Sequence, residues 1–526
     1  MKRIIAILLA VMMLLALCAG CGDKNEDTPA TDAPAADNPA ADTPAADPVQ
    51  TDNTFTVGTT YSHLYMYTAG SGESDNYCRR LVYDQIFYID DLTGEMSSDI
   101  LEGYEWTDDY TLKLTLKDGI TFSDGSKMTA EDILYTLEAY MINTNSESEF
   151  FQRIDFDKSN TEGELVANIV YSEVYGAAIS TLTIPVLSKA FCESHPDGDD
   201  AWWYNPVGSG PYEVGEVVMG TSVEFVRRDN YWNSEAVFPA AKIIVKYYSD
   251  TTAEYADYVA GQLDAIIALN STQVDELRQA ADTEVVVQSA NDVCMLAFNN
   301  NTVDPAVREA IAYGVDWDAV ALAGYGNLYT PATSHYATTF DAYTDHSGTY
   351  SYDVEKAKQI LADAGISGAE YSFPCFAGSS DTVIGEALQF YLAELGITLT
   401  INEMDIPTLL PTLIGGGGDL CLQNTAANGN APKEVNTVVS PLAATGFQIM
   451  AISDEHFNDL LAQGLNTTDA AKRTEIYKEV DQWLYDNNQV IPICERGEAY
   501  CYNSSRIASF SIASVNRGSL AVVTFN

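Results

Sequence analysis

The sequence predicts a mixed α/β protein with more than one β-sheet. The chain has 526 residues, of which 46% are hydrophobic, so a large core spread over two or three lobes is expected. Segments with the period-2 alternation of half-buried strands recur along the chain, and amphipathic helices with capping residues lie between them. Strands that alternate with helices favour an α/β architecture.

The first residues indicate export. Lys2 and Arg3 precede an apolar run over residues 4–19, which is short for a membrane span and typical of a secretory signal. The run ends in CAGC, which resembles the lipobox of bacterial lipoproteins, in which a cysteine after small residues is lipidated. We therefore predict a signal peptide over residues 1–20, lipidation at Cys21 and a lipid anchor on the extracytoplasmic face of the cell membrane. The alternative is an ordinary signal followed by an incidental cysteine.

Residues 21–53 form the predicted tether. Aspartate recurs at every fifth position over residues 27–52, and no large apolar side chain lies between residues 27 and 48. Such a segment cannot bury enough surface to order its backbone, and proline with like charges keeps it extended. We expect it to hold the globular body away from the lipid.

The charge balance excludes some partners. The chain carries 26 basic and 76 acidic residues, a net charge of −50. Nucleic acid would repel it, so no nucleic-acid partner is expected. The acidity itself is typical of a soluble, exposed protein.

The sequence carries no motif of a catalyst. Its five histidines lack metal-binding spacing, GxSxG does not occur, and the glycine run at residues 415–418 lacks the lysine of a phosphate-binding loop. We therefore predict no metal, no cofactor and no enzymatic activity. A secreted glycosidase is a distant alternative, because the distance between two carboxylates cannot be read from sequence.

The body contains seven cysteines. Their odd number and long spacings are typical neither of a disulfide framework nor of a zinc site. Cys294, Cys421 and Cys494 lie in apolar runs and are predicted to be core residues. A disulfide between two of the remaining four is left open; these are Cys78, Cys192, Cys375 and Cys501.

Helix and strand signals follow one another along the body. Residues 110–116 alternate as a half-buried strand does, and TAED at residues 129–132 is a capping-box pattern. Asp304 and Pro305 predict an N-cap and first helical position. Asp353 predicts the start of a helix that Gly365 ends, and Gly396 ends the next one. A last helix precedes a strand that begins near residue 489.

Seven segments, in order over residues 55–505, resemble the family 5 extracellular solute-binding proteins of ABC importers, the oligopeptide, dipeptide and nickel binders. They are EGYEWTDDYTLKLTLKDGITFSDGSKMTAEDILYTL, GSGPYEV with RRDNYW, AGQLDA, FNNNTVDPAVREAIAYGVDWDAV, YDVEKAKQILADAGI, ELGITLTI and the final helix–strand pair. Most matched residues are interpreted as structural. Gly208 and Gly210 shape the start of a strand, Tyr231 and Trp232 are packing anchors, and Arg308 is a buried-pair or cap partner.

The resemblance implies a two-lobe periplasmic-binding-protein-like fold of the class II type, with the ligand cleft between the lobes. Lobe I is expected at residues 54–293 with an extra subdomain at about 95–205, lobe II at 294–494, and a return to lobe I at 495–526. It implies a monomer that captures a peptide or peptide-like solute and delivers it to an ABC transporter permease. The alternatives are a neutral sugar-like solute, or a surface sensor or adhesin with the same fold.

The resemblance also implies a ligand site. Peptide-binding relatives carry an aspartate in a "W.aD..DP" segment that pairs with the α-amino group of the peptide. The matching stretch here is NTAANGNAP at residues 424–432, where Asn428 replaces that aspartate and Thr425 the tryptophan. An amide lacks the full charge that a buried ammonium needs, so we expect a ligand without a free α-amino group at this point. A shifted alignment, with Asp405 or Asp419 supplying the charge, is the alternative. The expected ligand-binding residues are Tyr61, His63, Asn299, Asn424, Thr425 and Asn428.

Overall fold

The computed structural model describes residues 53–60, 66–67, 76–89, 96–142, 148–426, 452–512 and 520–526. Its strands, in chain order, are β1 (Thr54–Thr59), β2 (Tyr88–Ile89), β3 (Met96–Ser97), β4 (Leu101–Trp106), β5 (Thr111–Leu116), β6 (Asn160–Glu162), β7 (Val166–Val170), β8 (Tyr212–Val218), β9 (Ser222–Arg227), β10 (Lys242–Tyr247), β11 (Ala265–Ile266), β12 (Thr283–Phe298), β13 (Tyr329–Pro331), β14 (Glu370–Phe376), β15 (Thr398–Met404), β16 (Leu420–Ala426), β17 (Val490–Asn503), β18 (Ile507–Ser509) and β19 (Thr524–Phe525).

Helices lie between these strands, as the alternating sequence pattern predicts. They are α1 (Asn76–Val82), α2 (Ala130–Ile142), α3 (Ser148–Phe151), α4 (Ala178–Thr181), α5 (Lys189–Ser194), α6 (Ala201–Tyr204), α7 (Thr251–Val259), α8 (Ser271–Leu277), α9 (Pro305–Gly314), α10 (Trp317–Tyr325), α11 (Val354–Asp363), α12 (Ser380–Glu394), α13 (Ile406–Ile414), α14 (Glu455–Leu465) and α15 (Ala470–Asp486), with a 3₁₀ turn at Leu520–Val522. The predicted mixed α/β architecture with more than one sheet is confirmed.

The largest sheet runs through the whole body in the order β16-β12-β17-β11-β1-β10-β9-β8, and β13 also pairs with β17. β1 is parallel to both of its neighbours, β10 and β11, and its six residues are all buried. This agrees with the rule that parallel strands are covered on both faces. The remaining pairs of this sheet are antiparallel.

Smaller sheets complete the fold. β4, β5, β7 and β6 form an antiparallel sheet, in which Leu112, Leu114 and Leu116 of β5 are buried at every second position, as the alternating pattern predicts. β14 and β15 are parallel neighbours, and α12 connects them in the chain. No helix within the described part of the chain is both long and apolar enough to cross a bilayer.

The buried apolar side chains fall into clusters that follow the sheet. Cluster A gathers residues between 55 and 267 together with residues 500–523. Cluster B and cluster C gather residues between 293 and 494 on the two faces of β12 and its neighbours. The chain therefore passes from cluster A to clusters B and C along β12, and returns along β17.

The glycines before β8 are required by space, as predicted. A Cβ atom on Gly208 or Gly210 would lie less than 3.0 Å from the backbone of Val82. The Gly210 amide donates to the Val82 carbonyl at 2.8 Å, and the guanidinium of Arg228 donates to the Gly210 carbonyl at 2.9 Å. Only a residue without a side chain permits this approach.

Tyr231 and Trp232 do more than pack. The Tyr231 hydroxyl and the Trp232 indole N–H donate to the two carboxylate oxygens of Asp84, at 3.1 and 2.8 Å. Asp84 is buried, and burial raises its pKa to about 6 in spite of these donors. The matched RRDNYW segment therefore solvates a buried acid, which the packing interpretation did not include.

The predicted caps are mostly confirmed. The carboxylates of Asp304 and Asp353 accept from the backbone amides of Ala306 and Lys356, at 2.8 and 2.9 Å, and Pro305 occupies the first position of α9. The capping box at α2 is formed on one side only. The Asp132 carboxylate accepts from the Thr129 amide at 2.8 Å, but the Thr129 hydroxyl donates to the same carboxylate at 3.0 Å instead of accepting from the helix.

All seven body cysteines are described and buried, and none of them forms a disulfide. Cys294, Cys421 and Cys494 belong to the core, as predicted. The disulfide left open between two of the other four is not formed, and each of these thiols is instead a small buried residue.

Candidate functional site

The candidate site lies where β12 and β17 pass between the clusters. Their antiparallel ladder breaks between Ser289, which pairs with Gly497, and Val293, which pairs with Glu495. Asn291 lies in this bulge with φ +54°, in the left-handed region that asparagine tolerates better than most residues. A bulge bends the strand that carries the extra residues and increases the local twist, and here the extra residues belong to β12.

A buried carboxylate holds one side of the bulge. Glu495 is 6% exposed and accepts from the Ser289 hydroxyl at 2.5 Å and from the amide and hydroxyl of Thr338, both at 3.2 Å. The Asn291 side chain accepts from Thr339 at 3.1 Å. Since burying a polar group is costly unless it is hydrogen-bonded, these donors offset the cost of burying Glu495. They also tie residues 338–339 to the bulge.

An ion pair joins the two strands at the same level. The Arg496 guanidinium donates from Nε to Asp292 at 2.9 Å and from Nη2 to the second carboxylate oxygen. Burial opposes the charge on Arg496, but Asp292 outweighs it and holds the pKa of the guanidinium above its ordinary value. Burial also raises the pKa of nearby Asp381, and Arg496 offsets part of that effect. The geometry is the bidentate fork that arginine forms with carboxylates.

Two of the predicted ligand residues lie beside this bulge. In the β12–β16 ladder, Asn424 pairs with Cys294 and Thr425 pairs with Val293, next to Asp292. The Asn424 side chain is exposed. The structure thus places these two consecutive residues of β16 in the ladder within two residues of Asp292. Their contact with a ligand remains a prediction.

Asn299 is not part of this group. It follows the far end of β12, five residues beyond Cys294, which is about 16 Å along an extended strand. Its side-chain amide donates to the carbonyls of Gly416 and Gly418, at 3.3 and 3.0 Å, and its backbone amide donates to Asp419 at 2.8 Å. Asn299 therefore holds the glycine run in place, and its amide hydrogens are used within the protein.

The two alternative aspartates are also engaged. The Asp419 carboxylate accepts from the amide and hydroxyl of Ser372, at 2.8 and 2.7 Å. Burial favours its neutral form, but these donors outweigh burial, and the pKa of Asp419 is lowered. Asp405 accepts from the Thr408 amide at 3.0 Å as the N-cap of α13. Both carboxylates stabilise local backbone in this conformation.

The other predicted residues are Tyr61, His63 and Asn428 for the ligand and Cys21 for the lipid. They lie outside the described residues, so their roles remain predictions.

Sequence reasoning missed Asp292, Glu495 and Arg496. A signal was present, because each lies directly beside an apolar run: VCMLAF follows Asp292 in β12, and VIPIC precedes Glu495 and Arg496 in β17. Charged residues are almost never fully buried unless they are paired, so a charge inside each of two long strands indicates a partner. Which partner it is depends on the register between strands about 200 residues apart.

The comparisons with known proteins agree on one family. Residues 95–441 match the family model of bacterial extracellular solute-binding proteins, family 5 Middle. Heme-binding protein A of Haemophilus influenzae is 22% identical over 534 residues, 92% of each chain. The glutathione-binding protein GsiB of Escherichia coli is 24% identical over 466 residues, 84% of this chain and 88% of its own. The ABC transporter substrate-binding protein CtaP of Listeria monocytogenes has a TM-score of 0.79 at 20% identity, over 90% of this chain and 99% of its own.

The match extends over most of the chain, and the strand order described above belongs to a fold shared with a solved ABC transporter substrate-binding protein. Such proteins are extracytoplasmic, and they bind and hand over solutes rather than convert them. The predicted absence of enzymatic activity follows from this kinship. This chain belongs to the family 5 bacterial extracellular solute-binding proteins.

Proposed function

We propose that this protein captures a peptide or peptide-like solute between two lobes and delivers it to an ABC importer permease while a lipid on Cys21 holds it at the membrane. Lobe I comprises residues 54–293 with a subdomain at about 95–205, lobe II residues 294–494, and residues 495–526 return to lobe I. The single observation that carries the proposal is the bulge at residues 289–293, where the ladder between the two crossing strands is interrupted.

The bulge supports a hinge at this position. β12 and β17 are the long strands that connect cluster A to clusters B and C, and the ladder is interrupted at residues 289–293. A ligand that contacts both lobes stabilises only the closed form, so its binding shifts the equilibrium between open and closed states. Asn424 and Thr425 border this hinge in the ladder, where a ligand in the cleft would meet both lobes.

The solute class is proposed from the sequence and from relatives. One relative is named for glutathione, which is a peptide, and another for heme. In this chain Asn428 stands where peptide-binding relatives carry the aspartate that pairs with the α-amino group. We therefore propose a solute without a free α-amino group at this point, such as a blocked peptide or a peptide bound in another register.

Titration calorimetry with tetra-alanine and N-acetyl-tetra-alanine tests the solute class. We expect the acetylated peptide to bind at least as tightly as the free one. The Asn428→Asp variant should restore a preference for the free peptide, because it returns the counter-charge, whereas Asn430→Asp serves as the matched control. If the free peptide binds the unmodified protein more than about tenfold tighter, the proposed amine pocket is wrong.

Mass spectrometry of the solute that co-purifies with the full chain separates the proposal from its alternative. A peptide supports the proposal. A neutral sugar-like compound in its place would contradict the proposed solute class and leave the family assignment intact.

A further inference from the structure

The two parts of the molecule also meet away from the crossing strands. Gly176, in the segment between β7 and α4, donates its amide to the carbonyl of Leu465 at 2.5 Å. Arg473 of α15 donates to the carbonyls of Gly176 and Thr467, at 3.3 and 2.7 Å. Gly176 and Arg473 are 297 residues apart in the chain. Neither β12 nor β17 contributes a residue to this contact.

Gly176 is required by space and not by backbone conformation. Its φ lies outside the left-handed region, but a Cβ atom at this position would lie less than 3.0 Å from the carbonyl group of Thr467. The contact is thus a direct approach of two backbones, which only glycine permits. Substitution by alanine therefore leaves the local backbone unstrained. Its effect is to prevent the backbone of residue 176 from approaching that of Thr467.

The contact joins different clusters of the core. Tyr175 and Ala177, on either side of Gly176, belong to cluster A. Leu461 of α14 and Tyr477 of α15 belong to cluster C, and Leu465 at the end of α14 packs against cluster A. The turn between α14 and α15 therefore belongs to the part of the molecule that is built around cluster C. Leu465 is the described residue of this part that packs against cluster A.

We propose that this contact, which we name the Gly176 latch, forms when the lobes close and contributes to the stability of the closed form. The inference rests on the proposed hinge capture. Two bodies joined at a bent strand pair cannot separate unless every other contact between them breaks. The latch consists mainly of backbone groups and one arginine, which water can solvate again when the lobes part, so it can open without leaving a buried polar group unsatisfied.

The latch would set the affinity for the solute without touching it. The apparent dissociation constant rises as the fraction of molecules able to adopt the closed form falls. Gly176 and Arg473 are therefore positioning residues. Their loss should weaken solute binding and leave the fold of the open form unchanged.

The first test compares Gly176→Ala with Gly103→Ala in the full chain. A Cβ atom on Gly103 in β4 would meet nothing within 4 Å, so this variant controls for the change from glycine to alanine. For Gly176→Ala we expect an unchanged ligand-free Tm and a dissociation constant for N-acetyl-tetra-alanine raised about tenfold. A lowered ligand-free Tm with unchanged affinity would show that the contact is permanent, and would overturn the proposal.

The second test is hydrogen exchange of the peptide that spans residues 172–178. In the wild type, the Gly176 amide should exchange more slowly when N-acetyl-tetra-alanine saturates the protein. Arg473→Met should abolish this change, and Lys472→Met, an exposed neighbour on α15, should not. Equal protection of the Gly176 amide with and without bound peptide would refute closure-dependent formation.

The two proposals can fail separately. If N-acetyl-tetra-alanine binds neither the wild type nor any variant, the proposed solute class is wrong, and the latch is judged from the ligand-free protein. There, the Gly176 amide should exchange at nearly the same rate in the wild type and in Arg473→Met, because the open form lacks the latch. Several-fold protection of this amide in the ligand-free wild type that Arg473→Met removes would show a permanent contact and would overturn the latch.

Discussion

At the scale of single residues, the buried acid Glu254 ties stability to pH. It lies on α7, is 1% exposed, and its Oε1 atom has no hydrogen-bond partner among the described residues. A Cβ atom on Gly58 of β1 would lie 2.9 Å from this oxygen, so the glycine makes room for the carboxyl group. Burial raises the pKa of Glu254 to about 8. The folded protein therefore holds a proton that the unfolded chain releases near pH 4.5.

Glu254→Gln should remove this dependence. Because the carboxyl is protonated in the folded state and ionised in the unfolded state, its contribution to stability is lost progressively as the pH rises from about 4.5 to about 8. The glutamine variant should gain about 2 kcal/mol relative to the wild type at pH 8 and little at pH 4.5. Urea unfolding at both pH values measures this difference in the free energy of unfolding, and the exposed Glu284→Gln variant is the control. An equal difference at both pH values would contradict the argument.

At the scale of elements, the β12–β17 pair is joined by charge as well as by its ladder. The Asp292 side chain is 10% exposed and that of Arg496 is 35% exposed. Removing one member of such a pair leaves the other charge in a partly dry site, whereas removing both costs less. The Asp292→Asn/Arg496→Met double-mutant cycle should therefore give a coupling free energy of about 2 kcal/mol. Urea unfolding of the four proteins measures it, and strict additivity would show that the pair is solvated like a surface ion pair.

A second element-scale prediction concerns α15. Asp481 on this helix is fully buried, and its two carboxylate oxygens contact the imidazole nitrogens of His335 and His346 at 2.7 and 2.6 Å. Burial favours the neutral carboxyl, but the histidines outweigh it and the pKa of Asp481 is lowered. One aspartate thus attaches both ends of the 335–346 segment to the helix.

Asp481→Asn should destabilise the protein by about 3 kcal/mol at pH 7, because two buried rings lose their charged acceptor. The contribution of the Asp481 carboxylate is present above its unfolded pKa of about 3.8 and is lost as the pH falls through its lower folded value. The destabilisation should accordingly shrink in strong acid. Thermal unfolding measures it, with the exposed Asp486→Asn on the same helix as control. A loss no larger than the control's would show that the segment is held by packing alone.

At the scale of the whole molecule, the predicted signal peptide over residues 1–20 and the predicted tether over residues 21–53 precede a body that belongs to a family of extracytoplasmic binding proteins. A carrier held close to its permease meets it at a raised effective concentration. Cys21→Ala should therefore release the protein from the membrane fraction into the medium, since the tether has no apolar surface to replace the lipid. Immunoblots of membrane and medium measure this, and Cys18→Ala is the matched control. Retention of Cys21→Ala at the membrane would disprove the anchor.

Much of the fold was predictable because its signals are local. The helix starts at Asp304 and Asp353 and the alternation in β5 each depend on a few neighbouring residues, and the structure confirms them. The segments that resemble the family could be recognised together because they occur in a fixed order. The half-formed capping box at Thr129 shows the limit, since there the hydroxyl turned to the Asp132 side chain instead of the helix amide.

The sequence by itself determined the α/β class, the resemblance to the family and the absence of catalytic motifs, because each depends on composition, spacing or short motifs. Only the tertiary structure decided which residues meet: Asp292 with Arg496, Asp481 with His335 and His346, and Gly176 with Arg473. It also separated Asn299 from Asn424, although both had been predicted for one site. These pairings depend on strand register and on the docking of segments more than a hundred residues apart, which the packing of the whole core determines and no local pattern encodes.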